Sequence, residues 1–158
     1  MKAITIWQPW ASLILAGAKP YEFRGWAAPR ALVGQRIAIH AGARKARADE
    51  IRELLLLLSR DALWSVALKP DIARPLLEKW LTAPQMLPLS SVLCTAILGA
   101  PVRASKIIAE FGGNDSDRDE HCNFAWPLSS LKPVHPFAPA KGMQGFWDWS
   151  LCAEEREK

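Results

Sequence analysis

The chain has 158 residues, half of them apolar and 23% charged, which fits one self-folding globular domain and excludes a disordered chain. Its longest apolar run, Leu54 to Leu58, is far short of the roughly 20 residues of a membrane span. The N-terminus MKAITIWQPW lacks the apolar core and cleavage site of a secretory signal, so a cytoplasmic chain with no membrane partner is expected.

The net charge of +4 is uneven: residues 1–47 hold eight bases against one acid, Glu22, and the remainder carries a small acidic excess. A local positive field attracts polyanions, although a solvated basic face has the same composition.

In chain order, Ala3 to Trp7 is β-branched and apolar and predicts a strand. Pro9 then suits the first turn of a helix that runs to Ala16 and stops at Gly17. From Tyr21 the pattern alternates, with Tyr21 and Phe23 expected toward the core and Glu22, Arg24 and Trp26 on the opposite face. Residues 36–40 alternate again, Ile37 and Ile39 inward and His40 on the other side. Two helices follow, one with an Ile51, Leu54, Leu55, Leu58 stripe and one starting at Pro75. Segment 48–84 is expected to pack on the core without contributing to a site.

Val92 to Ala100 reads as a buried central strand that continues through Val102 and Ile107 after a break at Pro101. Residues 112–119 have the composition of an acidic loop, and DSDRDE matches a calcium loop poorly. Phe124 to Leu128 reads as a strand, edge-like because of Pro127, and residues 141–149 close the domain. The order of elements suits an α+β fold, a small mixed barrel with flanking helices.

Cys94, Cys122 and Cys152 are widely spaced with no CxxC pair, and His40, His121 and His135 show no ligand spacing, so neither a disulfide, a metal site nor a cofactor is indicated.

IWQPWASLILAGAKPYEFRGW, followed by IAIHAGARK, resembles the start of an ASCH (activating signal cointegrator homology) domain. That family's signature is a QPWA-type helix leading into G-x-K-x-x-E-x-R, and Gly17, Lys19, Glu22 and Arg24 take its positions in order. FAWPLSSLKPV and PAKGMQGFW look like the family's closing segments. The resemblance covers residues 1–47 and 90–149 and leaves out the helical middle. One such domain over 1–152 is expected, and the residue pattern adds a helical insertion at 48–84 and a charged tail at 153–158.

The resemblance further implies a PUA-like β-barrel (pseudouridine synthase and archaeosine transglycosylase type) whose cleft faces RNA, DNA or a nucleotide, in a family associated with RNA metabolism and transcription coactivation. Some compact members are amidohydrolases on acetylated cytidine that use a lysine, a threonine and a glutamate. At that threonine position this chain has Glu22, so the hydroxyl nucleophile is absent and binding is placed ahead of catalysis.

The residues themselves point the same way. Lys19 is a point charge for phosphate, Arg24 a planar fork for phosphate or a base edge, and Glu22 an acceptor for an exocyclic amine. The same trio is also what a purely structural ion-pair cluster contains. Trp26 and Trp126 are candidate stacking platforms, while Trp7, Trp10 and Trp147 are assigned to the core. His40, Arg44 and Lys45 are candidates for the cleft wall, and Lys141, Gly142 and Gln144 for a phosphate-approaching loop.

The expected partner is therefore RNA, single-stranded DNA or a nucleotide, bound by a monomer. The competing expectation is a hydrolase on RNA or a modified nucleoside, with Lys19 and Glu22 as catalytic residues.

Overall fold

In the computed structural model, which describes residues 1–59, 66–111 and 124–150, a mixed sheet curls into a half-barrel with helices packed against it. The strands are β1 (Lys2–Ile6), β2 (Tyr21–Arg24), β3 (Arg36–Ala41), β4 (Ser91–Leu98), β5 (Val102–Arg103), β6 (Phe124–Pro139) and β7 (Phe146–Asp148). The helices are α1 (Trp10–Leu15), α2 (Ala48–Ser59), α3 (Pro70–Thr82) and the short α4 (Ala104–Ile107). The sheet order is β2-β6-β4-β3-β1-β7, with β5 added beside β6. β1 and β3 are parallel and the other pairs antiparallel, as in the mixed barrel with flanking helices expected from the sequence.

Strand periodicity sorts the core. Ile4, Ile6, Ile37 and Ile39 point into the barrel with Leu93, Leu98 and Trp126. The alternate residues Ala3 and Ala38 meet Val92, Ala138, Trp147 and Trp149 on the opposite face. A third cluster joins Leu13 of α1 to Ile51, Leu54 and Leu58 of α2 and to Ala73, Leu77 and Trp80 of α3. Helix α1 is thus gripped from two sides, Ala11 and Ile14 by the barrel and Leu13 by the helices. Burying one such leucine or isoleucine contributes about 1.5–3 kcal/mol.

Helix α1 is fixed at both ends by its own motif. Gln8 is buried and donates to Ser12 Oγ and to the Pro88 carbonyl, both at 2.8 Å, while its Oε1 accepts the Ser12 N–H at 3.1 Å. At the far end Gly17 has φ +78°, where a side chain is strained. The N–H groups of Ala18 and Lys19 return to the Leu13 carbonyl, which turns the chain sharply and delivers Lys19 next to β2.

Several expectations are corrected. Trp7 lies beyond the end of β1 and is 57% exposed. Because Ile4 and Ile6 face inward, period two puts residue 7 on the outer side with Thr5. The assignments in β2 are reversed: Glu22 is buried while Tyr21 and Phe23 are half-buried. Glu22 stands opposite Trp126 across the ladder, so it shares the inward face.

Helix α3 begins at Pro70, with Pro75 inside it. Ile107 belongs to α4, not to a strand. β6 is interior, bonded to β2 and β4. Pro127 is tolerated there because it sits where β6 changes partner, the last residue opposite β2 before Leu128 pairs with β4. Gly99 permits this crossing, since a Cβ there would lie 2.7 Å from Pro127 Cβ. His121, Cys122, Cys152, the acidic 112–119 loop and the 153–158 tail lie outside the described residues.

Candidate functional site

Among the described strands, β2 ends the sheet path and pairs with β6 alone. Side chains bridge the gap between it and β1. Arg24 Nη2 donates to the Thr5 carbonyl at 3.3 Å. Trp126 Nε1 donates to the Trp26 carbonyl at 3.1 Å, and the Trp126 ring stacks on Phe146 of β7 at 5.6 Å. Trp26 closes this aromatic seal edge-on, 4.7 Å from Trp126 and 6.1 Å from Phe146.

Along the seam lies a cleft of about 420 Å³ lined by Thr5, Ile6, Trp7, Trp10, Lys19, Glu22, Phe23, Arg24 and Val66. One wall is the end of β1, the other is β2. Trp10 joins the wall from α1, and Val66 comes from the 48–84 segment, which therefore does contribute to the site.

Among the described residues, three charges meet in this cleft. Glu22, only 7% exposed, places Oε2 3.1 Å from Lys19 Nζ and Oε1 3.0 Å from Arg24 Nε. The Arg24 contact is ionic: Nε is poorly angled for a hydrogen bond. Lys19 is 5% exposed, also donates to the Tyr21 carbonyl, and lies 5.0 Å over the Phe23 ring and 5.7 Å from Trp10.

A buried lysine is tolerated only when paired and hydrogen-bonded, and this one has both. Two cations against one carboxylate leave the trio net positive. Each Glu22 oxygen has a second lone pair, so an amine entering the cleft still finds an acceptor.

At the rim, the Arg44 guanidinium lies 4.6 Å over the Trp7 ring. Behind it stands Glu50, to which Arg44 is doubly hydrogen-bonded. Glu50 also accepts the Arg47 backbone N–H at 2.9 Å, the reach-back that caps the start of α2. Arg44's hydrogen bond, ahead of the Arg47 contacts, pulls the Glu50 carboxyl below its ordinary pKa. Lys45, beside it, is exposed.

Other sequence-nominated residues sit elsewhere. Trp126 is fully buried and supports the seal instead of offering a stacking face. Trp26 is exposed but belongs to that seal. His40 is 1% exposed and absent from the cleft wall; its Nε2 lies 2.9 Å from the Ala140 carbonyl. Donating there leaves Nδ1 as the ring's acceptor, and it has no hydrogen-bond partner among the described residues. Burial, opposed by that backbone contact, lowers the His40 pKa.

Gly142 seals this imidazole: a Cβ on it would come within 2.6 Å of His40 Cε1 and of Thr5 Oγ1. Lys141 and Gln144 are exposed on the same closing loop, which Gly142 presses against Thr5. Its glycine serves packing.

The N-terminal bases do not form a single patch. Lys2 pairs with Asp148 at 2.9 Å, Arg36 bonds Thr95 and Ser130, and Arg47 pairs with Asp49 at 3.2 Å. The sequence missed Trp7, Trp10 and Phe23 as lining residues. For Trp7 the parity of β1 was the available signal; for Trp10 and Phe23 only the curl of the sheet decides.

Outside the cleft, Tyr21 Oη donates to both Glu110 oxygens at 2.9 Å, and its pKa is pushed up to about 12 by burial and then by Glu110. Burial pushes the Cys94 thiol up to about 12. Among the described residues no helix is long and apolar enough to cross a membrane.

A search of curated proteins returns no match. Among solved structures, the ASCH protein of Zymomonas mobilis aligns over 97% of this chain and 88% of its own, with 18% identity and a TM-score of 0.50. Two single-residue variants of that protein align over 85% of this chain and over 73% and 71% of theirs, with 18% identity and TM-scores of 0.44. At this identity the likeness concerns the fold. The family model described as ASCH domain matches residues 4–82, so the match runs through the helical middle that the motif resemblance left out. With half of the chain matched, from the first strand through the Lys19, Glu22, Arg24 cleft to α3, the protein belongs to the ASCH domain family, whose PUA-like fold is generally of an RNA-binding kind.

Proposed function

We propose that the protein binds single-stranded nucleic acid, RNA foremost, or a nucleotide, by taking a base into the β1–β2 cleft. The observation that carries this reading is the convergence of Lys19, Glu22 and Arg24 with the aromatic rings Trp10 and Phe23 on one concave wall. Aromatic rings give a base apolar contact, and Glu22 accepts from an exocyclic amine, the pairing typical of a carboxylate with cytosine N4. The Arg24 side chain is 30% exposed, so its guanidinium reaches a phosphate or a base edge.

Hydrolysis by Lys19 and Glu22 is the weaker reading. Both Glu22 oxygens are already held in ion pairs with Lys19 and Arg24, whereas a general base must be turned toward the proton it takes.

Titration of mixed-sequence ribo- and deoxyribo-oligonucleotides at low salt is the test. Binding that weakens steeply as salt rises is expected. No binding at low salt would overturn the reading. Turnover of labelled RNA or acetylated nucleosides that is lost in a Glu22→Gln variant shown by its thermal melt to be folded would put the hydrolase in its place.

A further inference from the structure

Trp7 is the most exposed of the large apolar side chains among the described residues, yet it is held firmly. A Cβ on Gly42 would come 3.2 Å from its Cδ1, so the backbone of the β3–α2 connection abuts the ring edge. Arg44 lies over the ring, and Arg44 is itself held by the carboxylate that caps α2. Held in this way, the exposed indole is positioned in advance, beside the cleft mouth.

From this we infer that Trp7 with Arg44 is a stacking subsite for a second base, so that the ligand is a single strand of at least two nucleotides and not a free nucleoside.

The inference rests on the reading that the cleft takes the first base. Trp7 lines that cleft and also projects out of it, so a base stacked on the indole is continuous with one inside. Stacking on an indole is the most sequence-tolerant contact a strand can make, because every base has a π face. The guanidinium adds a positive plane that suits both a base and the phosphate between two bases. Exposed Lys45 follows Arg44 directly. On the other side, Gly142 abuts Thr5, and Thr5 Cγ2 lies 3.4 Å from the Cβ position of Gly42. The loop bearing Lys141 and Gln144 therefore reaches the same outer side of β1 as Trp7, which extends the path for a strand's phosphates beyond the indole.

The experiment compares equilibrium affinities of the full chain for a mononucleotide and for the matching dinucleotide, in ribo and deoxy forms. Wild-type protein should bind the dinucleotide about five- to 150-fold more tightly, the span expected of one base stacked on an aromatic ring. Trp7→Leu should bring that ratio down toward one, and Arg44→Ala should lower it by a smaller factor. The exposed position of Trp7 favours a folded variant, checked by a thermal melt; if Trp7→Leu fails to fold, the Arg44→Ala ratio decides.

Equal wild-type affinities for the two ligands overturn the inference. So does a Trp7→Leu variant that weakens both by the same factor, which would make Trp7 a cleft wall only. Binding of neither ligand overturns the cleft reading and this one with it. The ribo and deoxy arms separate RNA from DNA as the source of the strand.

Discussion

The Glu22 trio and His40 are both polar groups buried in the same half-barrel, on opposite faces of its sheet. Glu22 is paired with two cations, and its surroundings open into a cleft. His40 satisfies one nitrogen on the Ala140 carbonyl and is closed over by Gly142. The contrast separates two uses of burial. A charge retained beside an opening costs stability unless every partner stays in place, which makes sense where a ligand is to be met. A ring closed over by a glycine fixes a loop, with one buried nitrogen left unsatisfied among the described residues.

The largest effect that sharpens this contrast is expected from Glu22→Gln. It removes the carboxylate that pairs with both Lys19 and Arg24 and should destabilise the fold by about 3 kcal/mol or more, read from urea unfolding midpoints. Adding Lys19→Met to that variant should recover part of the loss, since the buried ammonium is then gone. If the single variant unfolds like wild type, the trio is solvated and the comparison breaks.

Gly142→Ala is next, at about 1–3 kcal/mol, because overpacking forces either the His40 ring or the closing loop to move. Thermal melts check it, and an unchanged midpoint would mean that the loop yields freely.

Glu50→Gln acts at the cleft rim. It weakens the α2 cap and the hold on Arg44, and should cost about 1 kcal/mol in the same melts. Loss of tightness for the dinucleotide should accompany it, because Arg44 is then no longer held over Trp7.

The smallest effect comes from His40 itself. Its folded pKa lies below its ordinary value of 6.5, so between the two the unfolded chain binds more protons than the folded one. This contribution to stability is intact above pH 6.5 and declines as pH falls through the window below it. His40→Gln should flatten that part of the stability-against-pH curve. A wild-type curve equally flat would show the ring to be solvated.

The salt dependence of binding bears on the cleft side alone. The N-terminal bases were legible as a net charge, but composition is blind to direction, and Lys2, Arg36 and Arg47 are spent on partners far along the chain or next to it. Arg24, Arg44 and the exposed Lys45 are what remain near the cleft to meet phosphates.

Local order was readable wherever neighbours in sequence decide it: the QPWA helix and its stop at Gly17, the inward Ile37 and Ile39, the buried strand from Val92, and the motif of Gly17, Lys19, Glu22 and Arg24 that gave the family. Those features rest on periods of two and 3.6 and on backbone conformations that few residues accept. What only the tertiary structure decided was which side of each element faces what. Glu22 turns inward because Arg24 reaches β1 and Lys19 is returned by the Gly17 turn, so that ion pairs offset the desolvation that alternation alone would forbid. Trp126 is sealed and Trp7 is bared because the sheet curls until its β2 end meets β1, a closure set by pairings between residues a hundred or more positions apart, which no window along the sequence contains.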